Sequence, residues 1–119
     1  MSETICDLTN RSCKPCEGGT PPLTRAQAGE MMQQLDDGWV LAEDASYIER
    51  EFKFKGFAKA VYTTNLACFL ADQQGHHPDI RMGWGYCNVR FSTHAVNGLS
   101  ENDFICAAKL DAMVKTQDG

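Results

Sequence analysis

A chain of 119 residues, 43% hydrophobic and 23% charged, has the composition of one soluble globular domain, large enough to bury about two-thirds of the surface its unfolded form exposes. No apolar run nears the roughly 20 residues that span a bilayer. A net charge of −5, with eleven basic residues scattered among sixteen acidic ones, argues against a nucleic-acid backbone as the main partner. The first residues lack a basic stretch followed by an apolar one, so no secretory signal is expected. The chain therefore reads as cytoplasmic, and its six cysteines as reduced thiols.

Residues 1–21 read as a polar N-terminal arm, rich in turn formers and without hydrophobic period, ahead of a single domain at 22–119. Cys13-x-x-Cys16, with Cys6 upstream, invites a zinc or redox reading. Structural zinc needs four ligands, however, and no second Cys or Cys/His pair follows, so an inert arm is expected. Thr24-x-x-Gln27 after two prolines is a capping box, predicting a helix from Thr24 to about Asp36 that Gly38 ends. Residues 39–41 and 47–54 read as two strands around Glu43-Asp44-Ala45-Ser46, the second with Ile48, Phe52 and Phe54 on its dry side.

From Phe57 the period becomes helical, with Phe57, Ala60, Val61, Thr64, Cys68 and Ala71 on one stripe and Gly75 as the stop. Tyr62, Leu66, Phe69 and Leu70 form a second stripe on roughly the opposite side, which a second copy of the chain or the outer helices must cover. Strand pattern returns after His76-His77-Pro78. A two-residue turn at Gly85-Tyr86 is expected to set Trp84 opposite Cys87 and His77 opposite His94, with Trp84 serving as scaffold. Ser100-x-x-Asp103 opens a final helix carrying Phe104, Ile105, Ala108, Leu110 and Met113. The order α-β-β-α-β-β-α makes an α+β fold, a four-stranded antiparallel sheet with three helices on one face.

All three histidines of the chain fall between residues 72 and 103. Three imidazoles can bind metal, act as acid and base, or sit as satisfied core residues. Adjacent histidines on extended backbone point to opposite sides, and Pro78 biases His77 to that backbone, which disfavours a metal site. An imidazole pKa of about 6.5 lets one ring hold a proton while its neighbour lacks one near neutrality. Asp72 can orient a ring, and Ser92 and Thr93 offer hydroxyls to a polar heterocycle. No nucleophile motif and no phosphate-binding glycine loop is present, so proton transfer on a small ring fits better than covalent catalysis.

Asp72, His76-His77-Pro78, Trp84, His94 and Asp103 together resemble the signature of the pterin-4a-carbinolamine (4a-hydroxytetrahydrobiopterin) dehydratases. The resemblance spans about residues 22–114, including Trp39, the strand Glu51-Phe52-Lys53-Phe54-Lys55 and Gly98-Leu99-Ser100. It implies a hydro-lyase that dehydrates 4a-hydroxytetrahydropterin to quinonoid dihydropterin, in the cofactor recycling that follows aromatic amino-acid hydroxylation, with no cofactor and no metal. His76, His77 and His94 would then be catalytic, and Asp72, Pro78, Ser92, Thr93 and, more weakly, Trp39 would bind the pterin. A homodimer or homotetramer and a functional link to an aromatic amino-acid hydroxylase are further implications. Asp72 stands where many members carry Glu, and Asn102 where some carry Arg. The competing readings are a non-catalytic dimerisation module on the same fold and a role in molybdopterin metabolism.

Overall fold

The computed structural model describes residues 8–14 and 19–118, which leaves Cys6 and Cys16 outside the described residues. Its elements are helix α1 (Arg25–Met32), strands β1 (Trp39–Leu41) and β2 (Ile48–Lys53), helix α2 (Ala58–Gln74), strands β3 (Asp79–Gly83) and β4 (Tyr86–Phe91), a 3-10 turn at His94–Val96 and helix α3 (Glu101–Asp118). The sheet is four-stranded and antiparallel throughout, as expected of the α+β fold, and its strands lie in the order β1-β2-β4-β3. No helix among the described residues is long and apolar enough to cross a membrane.

Capping chemistry starts α1 as expected: Thr24 Oγ1 accepts from the Gln27 amide at 3.1 Å and Gln27 Oε1 from the Thr24 amide at 2.8 Å. The helix stops at Met32, short of the expected Asp36. Its last turn tightens, with Gln33, Gln34 and Leu35 bonding back to Glu30, Met31 and Met32, and still buries Leu35.

Pairing of β2 with β4 sets Ile48 opposite Phe91 and Phe52 opposite Cys87, and these residues, with Val89 and Trp39, are buried in the core. Fully burying such a side chain contributes about 1.5–3 kcal/mol, so this strip is a large part of what holds the sheet to the helices. Glu49 and Arg90 fall on the other face, bonded at 3.0 Å. Arg50 alternates onto the core side with Ile48 and Phe52. Its charge is satisfied there by Asp111 at 2.6 Å, while its guanidinium lies over the Phe52 ring. Asp111 also accepts from Trp39 Nε1 at 2.8 Å and the Asp36 amide at 2.9 Å, fastening β1, β2 and the loop before β1 to α3. Burial pushes the Asp111 carboxyl above its ordinary value despite these donors.

Three expectations change. The β3-β4 turn is Trp84-Gly85, not Gly85-Tyr86: Gly83 pairs with Tyr86 and Met82 with Cys87, and Gly85 takes φ +85° at the second central position. This register ends the ladder at Asp79 and Arg90, so His94 reaches the other histidines by a loop beyond β4 and not by cross-strand pairing. Helix α2 is rotated from the predicted stripe. It buries Ala60, Thr63, Ala67, Leu70 and Ala71, and leaves Phe57, Tyr62, Cys68 and Phe69 exposed. Small side chains let α2 lie close against α3 and the sheet, a packing requirement that bulk hydrophobicity does not display. The expected extended arm, finally, is partly docked: residues 8–10 are helical and Leu8, 2% exposed, is part of the core.

Candidate active site

Helix α2 ends in a left-handed glycine, Gly75 at φ 65° and ψ 29°. The Gly75 amide bonds to Asp72 O and the His76 amide to Ala71 O, the paired bonds of a Schellman cap, so the backbone of His76 is fixed to the helix end. Its ring, with only 12% of the side chain exposed, stacks on Phe91 at 6.1 Å between centroids. Its Nε2 lies 2.6 Å from Asp103 Oδ1.

Asp103 is wholly buried and opens α3. Its Oδ2 accepts from Thr93 Oγ1 at 2.7 Å and from the Ser100 amide at 3.0 Å, and the Ser100 hydroxyl sits 2.8 Å from Thr93 Oγ1. A carboxylate surrounded by donors is an acceptor only, so His76 donates its Nε2 proton and Nδ1 is the nitrogen left to meet a ligand. Burial of the ring works against its charged form. Asp103's hydrogen bond and charge outweigh that cost, and the His76 pKa is raised above 6.5.

The loop after β4 places the third imidazole. Thr93 and Gly98 form an isolated bridge, with the Thr93 amide 2.7 Å from Gly98 O, and Asn97 takes the left-handed conformation at φ 55°. His94 begins the short turn enclosed by that bridge. His77 is 65% exposed and faces Asp72 Oδ1 at 3.4 Å. A cavity of about 310 Å³ gathers His76, His77, His94, Ser92 and Thr93, with Lys14 and Asn102 completing its wall. Asp72 reaches the site through His77. Pro78 and Trp39 do not line it, and Trp39 stands behind it, its ring 6.0 Å from that of Phe91.

Sequence reasoning left Asp103 out of the site residues, although it stood in the capping box and in the family signature. Its double appearance was the signal that could have placed it in the site. Lys14 and Asn102 were also missed. Asn102 grips the backbone of Lys14, accepting from its amide at 3.0 Å and donating to its carbonyl at 2.6 Å. A larger cavity of about 470 Å³ beside Leu35 and Ala108 holds no histidine, and its Asp36, Arg50 and Asp111 already pair with one another. No group of three or more His, Cys, Asp or Glu among the described residues is placed to hold a metal ion.

Residues 21–113 match the family described as pterin 4 alpha carbinolamine dehydratase. The chain belongs to that family. A relative from Nitrosomonas europaea, provisionally named a pterin-4-alpha-carbinolamine dehydratase, is 46% identical over 112 residues, covering 94% of this chain and 97% of its own. Another, from Methylococcus capsulatus and named in the same provisional way, is 45% identical over 108 residues, 91% of this chain and 94% of its own. The fold is similar to that of a transcriptional coactivator/pterin dehydratase from Brucella melitensis, with a TM-score of 0.71 and 33% identity over 77% of this chain and 97% of that one. Within the pterin 4 alpha carbinolamine dehydratase family match lie all three histidines and Asp103, whereas Lys14 and Cys13 precede it.

Proposed function

We propose that this chain dehydrates a 4a-hydroxytetrahydropterin to the quinonoid dihydropterin by imidazole acid-base catalysis, in pterin recycling linked to an aromatic amino-acid hydroxylase in the cytoplasm. The observation that carries this reading is the convergence of three imidazoles on one cavity, one of them bonded to a buried carboxylate. Elimination breaks the C4a–O bond, delivers a proton to the departing hydroxyl and removes the proton on N5, leaving a double bond between N5 and C4a and releasing water.

His76 is suited to take the N5 proton: Nδ1 is the nitrogen it offers, and Asp103 stabilises the imidazolium that results. His77 and His94, both exposed at the cavity, are placed to protonate the hydroxyl and to exchange protons with water. Ser92 offers a hydroxyl to the heterocycle. Thr93 is engaged with Asp103 and so acts by holding the carboxylate. Asp72 orients His77, Pro78 keeps it on extended backbone, and Trp39 supports the ring of His76 through Phe91.

A coupled assay decides it. Purified chain added to an aromatic hydroxylase reaction is expected to speed the decay of the 4a-hydroxy intermediate, followed by its absorbance. Decay at the uncatalysed rate would leave the non-catalytic interaction module as the reading.

The outer face of α2 supports self-association. Tyr62 and Phe69 lie one heptad apart on it, with partly buried Leu66 between, and Phe69 is 62% exposed. An aromatic stripe of this kind costs solubility unless covered, and a second copy in a homodimer or homotetramer covers it symmetrically. Phe69→Glu is expected to yield a smaller species by light scattering at micromolar concentration. An unchanged particle mass would remove this face from the interface.

A further inference from the structure

Cys13 and Cys106 stand 93 positions apart in sequence, yet their Sγ atoms lie 3.5 Å from each other. The approach is held from both sides. The Cys13 amide bonds to Gln74 Oε1 at 2.9 Å, at the end of α2, and the next residue, Lys14, is gripped through its backbone by Asn102 at the start of α3. Cys13 is half-buried and Cys106 wholly buried, one helical turn beyond Asp103.

We propose that Cys13 and Cys106 are an oxidisable dithiol, which a hydroperoxide converts to a disulfide that latches the N-terminal segment onto α3 at the wall of the histidine cavity. Cys13, the more accessible sulfur, is the attacking thiolate. It forms an S–O bond as the peroxide O–O bond breaks and hydroxide leaves, giving a sulfenic acid. Cys106 then attacks that sulfur: the S–S bond forms, the S–O bond breaks and the oxygen departs as water, taking the proton from Cys106. Two thiols and one hydrogen peroxide thus give one disulfide and two waters.

The two sulfurs differ in the sense these roles require. The hydrogen bond from Cys106 pushes the Cys13 thiol down against the opposing effect of burial, and the charge of His76 helps. The bond with Cys13, and then burial, push the Cys106 thiol up. Closing to a disulfide of about 2.0 Å asks the sulfurs to approach by about 1.5 Å, within reach of side-chain rotation. Cys87, by contrast, is buried beside the Thr64 hydroxyl at 3.2 Å, and Cys68 is exposed on α2.

The test treats the full chain with a small excess of hydrogen peroxide, blocks remaining thiols and maps peptides by mass spectrometry. The expected product is a Cys13–Cys106 crosslink about 2 Da lighter than the two reduced peptides, formed before Cys68 or Cys87 is modified. Because the bond closes a long loop, the oxidised chain should melt roughly 10 °C higher, a gain that reducing agent reverses. Cys106→Ala, which touches no imidazole, should abolish both crosslink and shift. Linkage of Cys13 to Cys6 or Cys16 instead, both thiols remaining blockable, or zinc released in stoichiometric amount when the thiols are blocked would each overturn the proposal. None of these readouts depends on dehydratase activity.

Discussion

Asp103→Asn is expected to lower dehydration by about 10²- to 10⁴-fold while the chain stays folded. The replacement is isosteric, but its amide has one acceptor and one donor end. With the Ser100 amide and the Thr93 hydroxyl both donating to one oxygen, Asn can satisfy them only by turning its NH₂ toward His76. His76 then loses its Nε2 proton and carries it on Nδ1, so the nitrogen facing the cavity changes from acceptor to donor. A rate assay with the His76 imidazole followed by NMR separates this from simple misfolding: the pKa should fall and the tautomer invert. An unchanged rate would remove Asp103 from the mechanism.

The same substitution changes how stability depends on pH. Because the folded His76 pKa lies above 6.5, the native chain binds that proton more tightly than the unfolded chain. The resulting stability is fully present below 6.5 and is lost as pH rises through the folded value. Urea unfolding across this range should show that decline in the wild type and lose it in Asp103→Asn.

The second large effect separates chemistry from folding more cleanly. His94→Ala and His76→Ala should each reduce dehydration by about 10²-fold or more, the usual cost of a lost acid or base. Their stabilities should differ. His94 is exposed on a loop held by the Thr93–Gly98 bridge, so its removal should leave the unfolding midpoint nearly unchanged. His76→Ala strips the partner from a buried carboxylate and should cost about 3 kcal/mol. Full activity in both variants would place the reaction elsewhere.

Signals written in a few neighbouring residues were the legible ones. The Thr24 box, the Gly75 stop and the Ser100–Asp103 pair each announce a helix end through local hydrogen bonding, and the placing of Ile48 and Phe52 on one side of their strand announces the buried face of the sheet. What escaped depended on partners distant in sequence. The face of α2 follows from how closely Ala60, Ala67 and Ala71 let it approach its neighbours, and alanine leaves little trace in a hydrophobic pattern. One isolated leucine in a polar stretch has no period at all, yet Leu8 is buried. The hairpin register turned on which central position Gly85 takes, a choice that the glycine alone does not make. Within the site, the histidine cluster was readable from spacing, whereas the second use of Asp103 required seeing the start of α3 beneath the end of α2.

His76 is anchored twice, by its backbone to Ala71 on α2 and by its ring to Asp103 on α3. The imidazole is therefore a gauge of the spacing between two helices. A slide of about 1 Å between them would barely register in the secondary structure, yet it would break a 2.6 Å bond and misplace the reacting nitrogen, a displacement that can cost catalysis about 10²-fold. Alanines such as Ala67 and Ala107, buried in the core and absent from the cavity wall, thereby become calibration points for turnover.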